Sequence, residues 1–317
     1  MADGIFQRIV DKLPPASLRI QRLTAFLVIL TQGGISVTGA IVRVTSSGLG
    51  CPTWPQCFPG SYIPVPHAEV PVIHQAVEFT NRMFTFGVVA TAVLAVLAVT
   101  RARRRREVIV YAWLMPASTV AQAVIGGITV RTGLLWWTVS IHLLVSMVMV
   151  WLSVLLYVKI GEPDDGVDEL LVPAPLRWLT ALSAATLSLV LITGTMVTGA
   201  GPHAGDKSAQ QPVKRLQLEI TDLVHAHSSL LVAYLSLVIG LTFALLAVRA
   251  PRPVLLRLAV LLVLVCAQGL VGVVQFYTGV PAALVAVHVA GAAACTAATA
   301  ALWASMRQRS ESQSLEG

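Results

Sequence analysis

One part of this chain repeats another at a fixed spacing. Gln122 and His142 return as Gln268 and His288, each 146 residues later. Around them Ala121, Gly126, Thr132 and Gly133 return as Ala267, Gly272, Thr278 and Gly279. Six identities at one offset, with no gap, mark an internal duplication, and a duplication constrains architecture before any residue has a role. Each copy places a histidine at the same point of an apolar segment. Polar groups inside lipid are expensive, so a repeated one is a functional candidate.

The apolar segments are long. Charged side chains make up 12% of the 317 residues, about half the roughly 25% usual in soluble domains. Apolar runs near 21–43, 74–100, 108–130, 136–158, 175–199, 222–247, 254–276 and 281–304 are each long enough to cross a bilayer. The expected fold is an all-α integral membrane protein with eight transmembrane helices. The charged segment Arg8 to Arg22 leads directly into the first span, with no separate cleavable signal.

The net charge of +7 is a topology signal, not a nucleic-acid signal. Arg8, Lys12, Arg19 and Arg22 precede the first span, and Arg101 with Arg103 to Arg106 follows the second. Lys159 and Arg177, then Arg249, Arg252 and Arg257, then Arg307 and Arg309 fall on the same side. The opposite loops hold Arg43, Arg131, Lys207, Lys214 and Arg215. The positive-inside rule then makes both termini cytoplasmic in a multi-pass protein of the cell membrane. Its partner is the lipid bilayer.

The duplication divides the chain into an N-terminal half (1–160), a cytoplasmic linker (161–174) and a C-terminal half (175–317). Four spans per half insert in the same direction, which predicts two tandem four-helix bundles related by a pseudo-two-fold axis along the membrane normal. Thr38-Gly39 answers Thr198-Gly199 at an offset of 160, so the first half carries an insertion in its long external loop, 44–73. That loop holds Cys51 and Cys57 in an oxidising location. A bridge, two free thiols and a cycling redox pair all fit there. Cys266 and Cys295 lie within spans and read as packing residues.

The 146-residue offset aligns Asn81 with His227. The second half therefore offers His227 and His288 at matching depth on two spans, a good axial pair for haem iron. His225 projects about 200° away from His227 round a helix and cannot share that role. Glycines 126, 127, 269, 272 and 291 would let a flat macrocycle, or simply a neighbouring helix, come close. In the first half His74, Glu78 and either Asn81 or Arg82 share one helix face. Glu78 and Arg82 can form an ion pair near the interface, or a carboxylate tuned by burial beside a reacting group.

These residues together resemble the haem A synthase family. The resemblance rests on eight spans in two halves, Cys51 with Cys57, and Glu78 with Arg82. It also rests on His142, the Gly-Pro-His-Ala-Gly-Asp stretch at 201–206, and His227 with His288. It implies an oxidoreductase that converts the ring D (C8) methyl of haem O to a formyl by successive hydroxylations, for cytochrome oxidase assembly. His227 and His288 would hold haem b in the C-terminal half. His142 would bind the iron of the substrate haem O in the N-terminal half, with Glu78 catalytic and Cys51 and Cys57 as disulfide or redox relay. Haem O synthase and a quinone or other electron acceptor are the implied partners. One departure matters: the family pattern has a histidine where this chain has Asn81, a poor ligand for iron. His74, two turns earlier on the same face, is the expected substitute, with five-coordination through His142 the alternative. A bis-histidine di-haem cytochrome b passing electrons to or from quinone is the rival reading.

Overall fold

The computed structural model describes residues 2–203, 205–206 and 213–310. Lys207, counted above among outer charges, and Ala204 of the 201–206 stretch lie outside the described residues. In chain order the elements are α1 (Ala2–Val10), α2 (Leu18–Val44), α3 (Val72–Arg101), α4 (Arg106–Arg131) and α5 (Trp136–Ile160). There follow β1 (Val167–Leu170), α6 (Ala174–Ala200), α7 (Ile220–Ala247), α8 (Arg252–Tyr277), α9 (Ala282–Ser305) and β2 (Arg307–Ser310). Helices α2 to α9 are each long and apolar enough to cross a membrane. Every expected span is present, with its ends within three residues of the expected limits.

One feature departs from the expectation. The charged lead-in is not continuous with the first span: α1 is a separate helix, broken from α2 near Pro14-Pro15. Its Phe6 packs on Trp113 with ring centroids 5.7 Å apart. The eight spans bear out the all-α expectation, with one short ribbon added beside them. The linker contributes β1, which pairs antiparallel with β2 beyond α9. Charge complementarity drives this small ribbon: Asp168 stands opposite Arg309 in register and takes a 2.7 Å hydrogen bond from Arg307.

Local chemistry sets the helix limits. Prolines 71, 173, 251 and 281 stand at the N-caps of α3, α6, α8 and α9, where a missing N–H costs little. The repeated Thr-Gly pair is a helix stop. Thr132 Oγ1 donates to Ile128 O at 2.8 Å, and Thr278 Oγ1 to Val274 O at 2.7 Å. Gly133 and Gly279 then take φ of +64° and +78°, the left-handed turn that glycine accepts without strain.

Helix α3 packs on α2 and α4, and α5 closes on α4 and α2. Likewise α7 packs on α6 and α8, and α9 on α8 and α6. Contacts of α2 with α9, α5 with α9 and α5 with α6 join the two sets. One buried apolar cluster includes Val28, Ala92, Met115 and Leu156, and a second includes Tyr234, Leu241, Leu261 and Leu302.

The end that carries α1 and the β1–β2 ribbon is held by arginines. Buried Arg104 donates from Nε to both Asp164 oxygens at 2.9 Å, from Nη1 to Gln21 Oε1 and Ile160 O, and from Nη2 to Glu162 O. Burial alone would raise the Asp164 carboxyl, but hydrogen bonds from Arg104 and the Arg105 N–H hold it below its usual value. Asp164 therefore adds stability that is present above the ordinary carboxylate range and is lost as pH falls through its depressed value. Arg104→Ala strands two backbone carbonyls and Gln21, so it is expected to cost about 3 kcal/mol. Thermal unfolding in detergent measures this, and an unchanged midpoint would refute it.

Candidate functional site

The opposite end holds the groups singled out in the first four-span segment. The insertion folds into a loop with its own small core, where Cys51 and Cys57 are disulfide-bonded and buried with Phe58 against Phe79 of α3. Glu78, one turn before Arg82, is only 4% exposed and lies under this loop. Arg82 binds Glu78 Oε1 through Nη2 at 2.7 Å and Nε at 3.1 Å. The other oxygen, Oε2, accepts from the Cys51 N–H at 2.8 Å. Arg82 also donates to the carbonyls of Cys51, Thr53 and Gln56. A buried carboxylate survives only when paired and hydrogen-bonded, and here the partners are Arg82 and the disulfide loop itself. Oε1 is filled by its two bonds from Arg82, whereas Oε2 keeps one lone pair free, since a carboxylate oxygen has two.

The loop is fastened on both flanks. The Trp54 indole lies against Gly127 of α4, where an added Cβ would come within 2.5 Å of the ring. Arg131 Nη2 donates to Trp54 O at 2.9 Å. On the other side Ser47 Oγ meets His74 Nδ1 at 2.9 Å. Asn81 Oδ1 accepts from Thr38 Oγ1 of α2 at 2.6 Å. Asn81 is thus a tie between α2 and α3, and its oxygen is already engaged.

His142 on α5 lies beside α4. Its Nδ1 is 3.1 Å from Gln122 Oε1, and Gly126 faces its Nε2 without a side chain to cover it. Among the described residues no hydrogen bond or ring contact joins His74 to His142.

In the second four-span segment two histidines do meet. The His227 and His288 rings have centroids 6.3 Å apart and are inclined by 64°. The His227 Nδ1 is engaged by Val190 O at 2.9 Å and Thr193 Oγ1 at 3.2 Å, which leaves Nε2. Gly194 makes room for this ring: a Cβ there would come 3.0 Å from His227 Cε1. His225 is exposed. Two metal–nitrogen bonds of about 2 Å each, plus the distance of about 1 Å from nitrogen to ring centre at both ends, separate two axial imidazole centroids by roughly 6 Å. The observed spacing is compatible with a metal atom between the two rings.

The glycines serve side chains more than a macrocycle. Gly126 faces His142, Gly127 faces Trp54, Gly272 faces His288 and Gly291 faces the Gln268 amide, while Gly269 meets only Leu231. Two residues overlooked in the sequence complete the site. Trp54 could have been suspected from its place between the two cysteines. Arg43, at the end of α2, was counted only as a charge. It donates to His203 O at 2.8 Å and Thr198 O at 2.7 Å, and the His203 Nε2–H reaches Val280 O. Gly48 N–H donates to Gly205 O, so the outer loops of both segments are linked.

Eight helices long and apolar enough to cross a membrane define a polytopic helical membrane protein. More particularly, the chain belongs to the COX15-CtaA family of cytochrome oxidase assembly proteins, whose profile matches residues 22–205. That region contains Cys51, Cys57, His74, Glu78, Arg82 and His142, whereas His227 and His288 lie beyond it. A protein named heme A synthase from Lysinibacillus sphaericus is 34% identical over 169 residues, 51% of this chain and 53% of that one. Its namesake from Geobacillus thermodenitrificans is 30% identical over 131 residues, 40% of this chain and 39% of that one. The chain thus spans about half or less of these two relatives. A third, from Bacillus mycoides, is 24% identical over 280 residues, 85% of this chain and 88% of that one.

Proposed function

We propose that this protein is a haem A synthase, oxidising the ring D methyl of haem O to a formyl group in successive hydroxylations. The observation that carries the reading is the asymmetry of the two segments. One has facing histidines spaced for axial ligation. The other has a buried carboxylate beneath a disulfide loop. The family membership and the names of the relatives point the same way.

On this reading the chain is two tandem four-helix bundles, 1–160 and 175–317, related by a pseudo-two-fold axis along the membrane normal. The ring-like packing order within each set of four helices supports it. The arginine-rich end that carries α1 and the β1–β2 ribbon is cytoplasmic, in the cell membrane. Bound haem supplies one-electron transfer in the C-terminal bundle, and as haem O it brings the methyl group to the N-terminal bundle.

The residues hold and orient these groups. His227 and His288 would take haem b through Nε2. His142 would hold the substrate iron, and its Nε2 is the nitrogen left free by Gln122. His74 would be the second ligand, since Asn81 is committed to Thr38. Glu78, paired with Arg82, would use the free lone pair of Oε2 to accept a proton from the reacting carbon's substituent, or to stabilise positive charge there. The disulfide loop with Trp54 covers this end and excludes water. The reading also implies a haem O synthase to supply substrate and an acceptor such as a quinone to take electrons.

Expression with a haem O source, followed by chromatography of extracted haems, tests the proposal. Haem A should accumulate. Bound haem b with no haem A at all would favour the di-haem electron carrier instead.

A further inference from the structure

The duplicated glutamines Gln122 and Gln268 each reach the histidine on the following helix. In the first segment Gln122 Nε2 donates to His142 O at 3.1 Å and Ser146 Oγ at 2.6 Å, while its Oε1 lies 3.1 Å from His142 Nδ1. In the second, Gln268 Nε2 donates to His288 O at 2.5 Å. There the correspondence stops, because His288 Nδ1 is buried with no partner among the described residues. Two substitutions between the copies account for the difference. Ser146, which helps seat the Gln122 amide, is replaced by Ala292 at the 146-residue offset. Val145 is replaced by Gly291, and the Gln268 amide lies where a side chain at that position would stand.

We propose that Gln122 is the positioning residue for the His142 imidazole, fixing the proton on Nδ1 and strengthening Nε2 as a donor to iron, whereas Gln268 only braces the α9 backbone. The inference rests on the haem reading above. A hydrogen-bond acceptor on the far ring nitrogen fixes tautomer and orientation and raises ligand basicity. A more basic ligand favours ferric over ferrous iron and lowers the reduction potential. The two bundles would therefore poise their irons differently through one altered contact. His142 is the stronger donor, and His288 gains no such help from its glutamine.

The test is a redox titration, with electron paramagnetic resonance, of the full-length chain loaded with ferric protohaem. A His288→Ala background isolates the first site, and a His142→Ala background isolates the second. Gln122→Met should raise the potential of the first site and weaken its haem affinity by about 10- to 100-fold. Gln122→Glu, nearly isosteric and a stronger acceptor, should shift the potential the opposite way. Gln268→Met and Gln268→Glu should leave the second site's potential unchanged. Shifts of one sign for both Gln122 variants would indicate general damage and overturn the proposal, as would equal responses at the two glutamines. Failure of the unsubstituted chain to bind haem would overturn the haem reading as well. Haem binding with potentials indifferent to Gln122 would overturn this inference alone.

Discussion

A Glu78→Ala chain is expected to form no haem A while keeping the absorption spectrum of the haem proposed at His227 and His288. The carboxylate lies in the other segment, so the histidine pair does not depend on it. Removal also leaves Arg82 uncompensated beneath the loop, and breaking a buried ion pair costs about 3–5 kcal/mol. That cost could loosen the loop and mimic a chemical defect. Glu78→Gln separates the two effects. An amide keeps one acceptor oxygen, which can serve either the Cys51 N–H or Arg82. Arg82 keeps its bonds to the loop carbonyls, so the loop should be disturbed less than in Glu78→Ala. Turnover should nevertheless fall by about 10²- to 10⁴-fold, the usual contribution of a proton-transferring group. Substantial activity in Glu78→Gln would make the carboxylate a loop anchor only.

The second large effect is expected at the histidine pair. His227→Ala or His288→Ala should each abolish the low-spin spectrum of a C-terminal haem, since either change removes one of the two ligands proposed for it. His227 is the better braced ring, tied to Val190 and Thr193 and fitted against Gly194. Loss of haem A formation should accompany the loss of the spectrum, because electrons then have no relay out of the N-terminal bundle. Optical spectra of purified variants, paired with haem extraction, measure both. Full haem A production with the C-terminal haem absent would remove the relay from the account.

Much of this arrangement is legible in the sequence itself. A run of about 20 apolar residues has few options in lipid, so the eight spans emerged with nearly correct limits. The Thr-Gly pairs were visible as repeats, though only the φ values of Gly133 and Gly279 reveal them as helix stops. The His227–His288 pairing came from one offset. Glu78 and Arg82 were expected as partners at i, i+4, yet their larger task was hidden. That task consists of bonds to the backbone of Cys51, Thr53 and Gln56, and a backbone acceptor leaves no trace in residue type. The same reason concealed Arg43, whose partners are carbonyls some 160 residues away. The β1–β2 ribbon escaped because two four-residue charged segments, distant in sequence, carry no apolar alternation to announce a strand. His74 was placed by helix geometry alone, and its bond to Ser47 shows that it also supports the start of the loop.

The central claim is that this chain binds iron porphyrin at paired imidazoles. A pyridine haemochrome spectrum of the purified, unsubstituted protein addresses it directly. The account predicts a haem b signal together with haem O or haem A. A colourless protein that gains no Soret band on addition of haem would contradict it.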